Sequence, residues 1–197
     1  MNLSHASLDW ALKHIESFGD TDMFPLSFEY EAIRAQWDGK IRDQLARMDL
    51  LQYKTGTFRR CLSPKHRFGF RISTQLDPFD ALFYTSLIYE LGEDIESSRV
   101  PTDQEIVHSF RFQPDDTGRL FDRQYNYNSF INICNDYSSS EGYEWVVIAD
   151  IADFFPRIYL HPLENKLQSC TKKSDHVKSV INLTRISQVN PCKKVRF

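Results

Sequence analysis

One run in the chain holds no polar residue: Trp145-Val146-Val147-Ile148-Ala149, closed by Asp150. Two Val and an Ile favour a strand over a helix, and unbroken apolarity suits a strand covered on both faces. Such a strand is stable only inside a sheet, which supplies its backbone hydrogen bonds. Two carboxylates stand where it ends, in Asp150-Ile151-Ala152-Asp153-Phe154-Phe155-Pro156-Arg157-Ile158. An ionised carboxylate at the end of a buried strand is costly unless a cation neutralises it. Mg²⁺ takes one or two carboxylates plus phosphate oxygens, so it suits that position. If the strand runs on through Ile151, Asp150 and Asp153 point to opposite sides, and one metal ligand is favoured over a chelating pair. The alternative is that Asp150 caps the helix that follows.

Helices surround this run. Residues 5–18 place Leu8, Leu12 and Ile15 at helical spacing, with Ser7 or Asp9 as candidate caps. Gly19-Asp20-Thr21-Asp22 reads as a break. Residues 28–51 predict one long helix with Ile33, Trp37, Ile41, Leu45 and Met48 on a shared face. Short strands follow over 52–63 and 70–74, around a turn at 63–69. Asp77-Pro78 opens a further helix, with Asp as cap and Pro at the first position. Its apolar stripe runs Phe79, Leu82, Phe83, Ser86, Leu87, Tyr89 and Leu91. Residues 110–128 read as a polar loop, 126–138 as a weak helix, and 154–163 return to helical spacing. Long helices mixed with strands make the chain α+β.

A length of 197 residues suggests one domain, or one with an appendage, and 41% hydrophobic with 26% charged residues excludes general disorder. Fifteen Phe and nine Tyr predict an aromatic core. No apolar window reaches about 18 residues, so no membrane partner is expected. Met1 to Ala6 does not resemble a secretory signal, so the expected location is the cytoplasm. Cys61, Cys134, Cys170 and Cys192 lack metal-ligand spacing and read as reduced thiols. Phosphate-binding glycine loops and a Gly-x-Ser-x-Gly nucleophile are missing from the sequence, which argues against other phosphoryl-transfer enzymes and against hydrolases.

The net charge of −3 conceals an asymmetry. Residues 166–197 carry eight basic residues against Asp175 alone, while 1–165 carry 16 basic and 26 acidic ones. An acidic body argues against nucleic-acid binding by the whole surface, though a local basic groove fits. Segment 59–71 is the candidate: Arg59, Arg60, Lys65, Arg67 and Arg71 stand there without an acid. It is either a solvated loop or a grip for phosphate.

Taken in order, several segments resemble those of one family. Asp150-Ile151-x-x-Phe154-Phe155-x-x-Ile158 resembles the first palm motif of reverse transcriptases. Pro64 to Arg71 resembles the fingers signature, Thr74-Gln75-Leu76-Asp77-Pro78 the next block, and Ser109-Phe110-Arg111-Phe112 the Phe-Arg element after it. Phe18 to Pro25 and Pro156 to Asn165 are similar to the bacterial branch linked to phage defence and abortive infection. The resemblance covers roughly residues 8–180. It implies the fingers and first part of the palm of a right-hand polymerase, with an N-terminal helical region (1–50), a fingers-like region (51–140), a partial palm (141–170) and the start of a palm helix with a basic tail (171–197). It implies Asp150 as catalytic and metal-binding carboxylate for Mg²⁺, with the Ile151 carbonyl as a second ligand. Lys65 and Arg71 would grip the triphosphate. Phe155 would crowd a 2′-hydroxyl and favour deoxynucleotides, or else pack in the core beside Phe154. Asp153 would sit near the nucleotide, or cap the helix. Arg59, Arg60 and Arg67 would meet nucleic acid.

A two-metal polymerase also needs a second carboxylate source. In this family it is a Tyr/Phe-x-Asp-Asp hairpin after the first palm motif, and this sequence holds none. Asp115-Asp116 is a polar turn ahead of that motif. From Thr184 onward no period is sustained, as expected if a frameshift or early stop replaced the rest of the palm; the rival expectation is a nucleic-acid-binding basic arm. The expected function is therefore RNA-directed DNA polymerase chemistry, with this chain truncated and inactive alone. Its expected partners are a deoxynucleoside triphosphate, an RNA or DNA template-primer and a chain supplying the missing palm. The alternative is a non-catalytic nucleotide-, RNA- or partner-binding module in a phage-defence system.

Overall fold

The structure, a computed structural model, describes residues 1–21, 23–66, 69–140, 142, 144–151, 154 and 157–188, with backbone alone at 65, 66, 71 and 186–188. The elements are α1 (His5–Phe18), α2 (Glu29–Ala35), a π-turn (Trp37–Ile41), α3 (Arg42–Arg47), β1 (Arg59–His66), β2 (Gly69–Gln75), α4 (Pro78–Ser97), a short 3₁₀ turn (Thr102–Gln104), α5 (Tyr127–Ser138), α6 (Leu160–Cys170) and α7 (Ser174–Gln188). The fold is α+β. Among the described residues the sheet is one antiparallel hairpin, β1 with β2, and Phe112 and Phe121 add an isolated bridge.

Helix α4 is central because its apolar residues leave little of it exposed. Ala81, Leu82, Phe83, Leu87 and Leu91 are all buried, and the helix packs against α1, α6 and α7. Asp77 caps it by accepting from the Phe79 amide, with Pro78 at the first position, as the sequence predicts. Phe79 lies at the surface instead of on the buried stripe. Leu8, Leu12 and Ile15 of α1 meet α4, and Val180, Ile181 and Leu183 of α7 are buried as well. Among the described residues no helix is long and apolar enough to cross a membrane.

Four local readings change. The cap of α1 is Ser4, which accepts from the Ser7 amide; Ser7 itself is buried in the first turn. The long helix over 28–51 is broken by the π-turn, where Ile41 N donates to Gln36 O across five residues. The extra residue shifts the register, so Trp37 and Leu45 remain buried while Met48 is exposed. The turn read at 63–69 is shorter, because β1 runs through Pro64 to His66, with a bulge between Pro64 and His66. Proline has no amide to give the ladder, and an edge strand at a bulge tolerates that. Finally, α7 continues past Thr184 to Gln188, and residues 189–197 of the basic tail lie outside the described residues.

One polar network ties the termini of the fold together. The Glu90 carboxylate on α4 accepts from Ser4 N (3.1 Å), Ser7 Oγ (2.5 Å) and His176 Nε2 (2.7 Å), joining α1 to α7. Burial alone would raise this carboxyl, but the hydrogen bonds from Ser7, Ser4 and His176 outweigh it and hold it below the ordinary carboxylate range. A lowered folded pKa contributes stability at neutral pH that is lost as pH falls through the folded value. In acid denaturation, Glu90→Gln is therefore expected to flatten the loss of stability below pH 4.5, relative to the native chain, and to lower stability at pH 7. An unchanged acid slope would show that Glu90 is not the linked group.

Candidate functional site

The hairpin presents the basic segment. Its ladder pairs Arg59 with Gln75, Arg60 with Thr74, Leu62 with Ile72, Ser63 with Arg71 and Pro64 with Phe70. Lys65 falls at the bulge, where the register slips, so the strands bring the backbones of Lys65 and Arg71 to the same end of the hairpin. Residues facing each other across an antiparallel pair share a face. On one face Ser73 and Gln75 are buried; on the other Leu62, Phe70 and Ile72 are exposed.

The buried face is anchored by polar contacts. Gln75 Nε2 donates to the Asp20 carboxylate (3.1 Å), and Arg59 pairs with Glu29 at the start of α2 (3.1 Å). Burial raises the Asp20 carboxyl, with the Gln75 hydrogen bond opposing it. Below it, Asp80 accepts from Tyr53 Oη (2.7 Å) and Gly56 N (3.0 Å), which ties the strand-leading segment to α4. Burial pushes Asp80 upward too, and burial near Asp20, Asp77 and Glu29 raises the Tyr30 hydroxyl. Arg60 lies over the Phe58 ring at 4.8 Å, a cation–π contact. Arg59 is thus engaged within the body, whereas Arg60 stands on the opposite face of the hairpin.

Asp150 and Ile151 lie at the surface, outside any helix or strand. Asp150 Oδ1 accepts from the Ile151 amide (2.9 Å). The strand expected over 145–150 does not form: among the described residues these six pair with no strand, and Val147 and Ile148 are 88% and 93% exposed. The physical reason is the lack of a partner. The hairpin is the one sheet among the described residues, and a lone strand cannot satisfy its own amides and carbonyls. Trp145 and Val146 line a cavity of about 360 Å³ with Cys134, Tyr137 and Ser138 at the end of α5. Arg67, Asp153 and Phe155 lie outside the described residues.

Among the described residues no cluster of three or more His, Cys, Asp or Glu is arranged to hold a metal. Asp150 is therefore not part of such a cluster among the described residues, and a two-metal centre needs a further source of carboxylates. Asp115 is no substitute. It accepts from Thr117 Oγ1 and N, Arg119 N and Arg123 Nη2, chiefly the Thr117 hydroxyl holding its carboxyl down to about 2. Gly118, at φ 85°, turns that segment back against α1, where His14 donates to its carbonyl (2.7 Å).

Ser109-Phe110-Arg111-Phe112 carries an anchor that sequence reasoning did not assign. Arg111 is buried, pairs with Glu96 on α4 (2.5 Å) and donates to Val100 O (2.8 Å). Glu96 also accepts from Arg99 and from the Phe112 amide. The signal was an acid and a base bracketing the end of α4, Glu96 and Arg111. Comparison with family models, with curated proteins and with solved structures finds no match for this chain.

Proposed function

We propose that the chain is the fingers and the opening of the palm of a reverse-transcriptase-like polymerase of the phage-defence kind. One observation carries the reading. An apolar run ending in Asp150 pairs with no strand among the described residues and leaves Val147 and Ile148 exposed, as expected of a palm strand whose neighbour comes from other polypeptide. The hairpin supports it, because its ladder sets Lys65 and Arg71 at one end of a short, basic β-ribbon.

In this reading Lys65 acts as a point charge and Arg71 as a fork on the triphosphate, and Asp150 supplies one oxygen ligand to Mg²⁺. These groups position the nucleotide and neutralise charge in phosphoryl transfer. Phe155 selects a deoxyribose. The Tyr/Phe-x-Asp-Asp pair and the adjoining strand come from polypeptide other than these 197 residues, so the residues alone bind nucleotide and do not extend a primer.

The test is equilibrium dialysis of dTTP against the chain, with and without Mg²⁺. Saturable binding is expected, stronger with Mg²⁺. Lys65→Ala and Arg71→Ala are each expected to weaken it roughly ten- to a hundredfold, since a hydrogen bond to a charged group contributes about 1.5–3 kcal/mol. Asp150→Asn is expected to remove the Mg²⁺ dependence. No binding, or binding indifferent to all three substitutions, would overturn the reading; primer extension by the chain alone would overturn the requirement for a second polypeptide.

A further inference from the structure

Two stretches of exposed apolar surface carry opposite charge. On the outer face of the hairpin Leu62, Phe70 and Ile72 are exposed, and strand alternation puts Arg60 on the same face as Leu62. In the run before Asp150, Val146 and Ile148 are exposed, and Glu144 and Asp150 flank them at even positions. Both stretches also leave backbone unpaired. Among the described residues the sheet is β1 with β2, so each strand keeps an open outer edge, and residues 145–150 pair with no strand. An open edge beside exposed apolar side chains is a template for another strand. The better edge is that of β2, because β1 carries Pro64 and the bulge.

Charge decides which edge meets which. Segment 59–71 holds five basic residues and no acid, whereas the run has an acid at each end and no base between them. Run against run in register sets Glu144 beside Asp150 when antiparallel, and beside another Glu144 when parallel. Like charges directly opposite are destabilising. Hairpin against hairpin sets base beside base. The run laid along a hairpin brings an acid towards Arg60 in either direction, because both of its ends are acidic.

We propose that two copies of the chain pair, each adding its run as a third strand along β2 of the other. Val146 and Ile148 then lie beside Phe70 and Ile72, and the run gains partners for its amides and carbonyls. Both contacts are the same, so a twofold axis closes the pair. A stable interface buries about 1,200–2,000 Å² in all. One added strand of six residues is short for that, and the closed pair makes the contact twice. The run cannot hold a palm strand and a second copy's β2 through the same face, so pairing and palm docking exclude each other. The inference is independent of the polymerase reading: dTTP binding can fail while the pair forms, and the chain can stay monomeric while dTTP binds.

The experiment is analytical sedimentation of the full chain without nucleotide, from about 1 to 200 µM, where the weaker interfaces of this size associate. A monomer–dimer equilibrium is expected, with nothing larger. Ile148→Lys on the run and Ile72→Lys on the hairpin each put a charge into the contact. Each is expected to weaken the dimer about a hundredfold, because the symmetric pair carries the change twice. Both positions are exposed in the single chain, so helix content by circular dichroism is expected to stay unchanged. An equimolar mixture of the two variants keeps one intact run and one intact hairpin, and is expected to dimerise more tightly than either variant alone. A chain that stays monomeric throughout overturns the proposal. A dimer lost with Ile148→Lys and kept with Ile72→Lys also overturns it, since that is run against run. A mixture that associates no better than its parts does the same, and species larger than a dimer overturn the closed arrangement.

Discussion

Glu96→Ala is expected to lower the unfolding free energy by about 3–5 kcal/mol, the range for removing one partner of a buried ion pair. The Arg111 side chain is 5% exposed, and its Nε has no partner among the described residues. Glu96 is the carboxylate that neutralises it, and the same carboxylate receives Arg99 and the Phe112 amide. Without it a guanidinium stays buried with Val100 O as its remaining named acceptor. Arg111→Met is expected to cost less, because an apolar side chain of similar length needs no counter-charge. Urea denaturation of the two single variants and the double variant checks this. The double variant should lose less than the sum of the singles. A loss below about 1 kcal/mol for Glu96→Ala, the range of surface pairs, would mean that the pair does not anchor segment 109–112.

Gly92→Ala is the second large effect, and two terms of opposite sign decide it. Gly92 lies inside α4, where alanine is favoured over glycine by about 1 kcal/mol. A methyl group at Gly92 would overlap the Phe112 ring. Phe112 is held by its amide on Glu96 and by its bridge to Phe121, so the ring has little freedom to withdraw. Overfilling of this kind typically costs about 1–3 kcal/mol, so a net loss is expected. In a Phe112→Ala background the overlap is gone and the same change should stabilise. A stabilising Gly92→Ala in the native background would show that Phe112 is not pressed against α4.

The same pair of residues shows what the sequence could and could not reveal. Asp77-Pro78 declared the start of α4, because capping is chemistry between near neighbours. The stripe of Leu82, Phe83, Ser86, Leu87 and Leu91 declared its buried side. Contacts made across the chain were silent. Nothing local marks Gly92 as the seat of Phe112, or Glu90 as the meeting point of Ser4, Ser7 and His176. Segment 110–128 read as a polar loop because its aromatics follow no period; they converge through the turn at Asp115–Gly118 and the Phe112–Phe121 bridge.

The candidate site divides in the same way. The basic ribbon was legible as turn and strand, and its ladder adds the bulge at Lys65. The run 145–149 was legible as a strand by composition. Composition describes the surroundings that a segment is made for, and pairing depends on whether a neighbour is at hand. Five apolar residues ahead of Asp150 are made for a covered sheet, and among the described residues no strand lies beside them. That mismatch between pattern and surroundings is the basis for assigning the adjoining strand to other polypeptide.

Amide hydrogen exchange of the chain tests that assignment most directly, at a concentration where sedimentation shows a monomer. The amides of Val146, Val147 and Ile148 are expected to exchange near the rate of unstructured peptide. Those of Leu82 to Leu91, inside α4, serve as the slow reference in the same sample. Protection of 146–148 approaching that of α4 would mean that the run is already paired, and the account of Asp150 at the end of an unpartnered palm strand would be wrong.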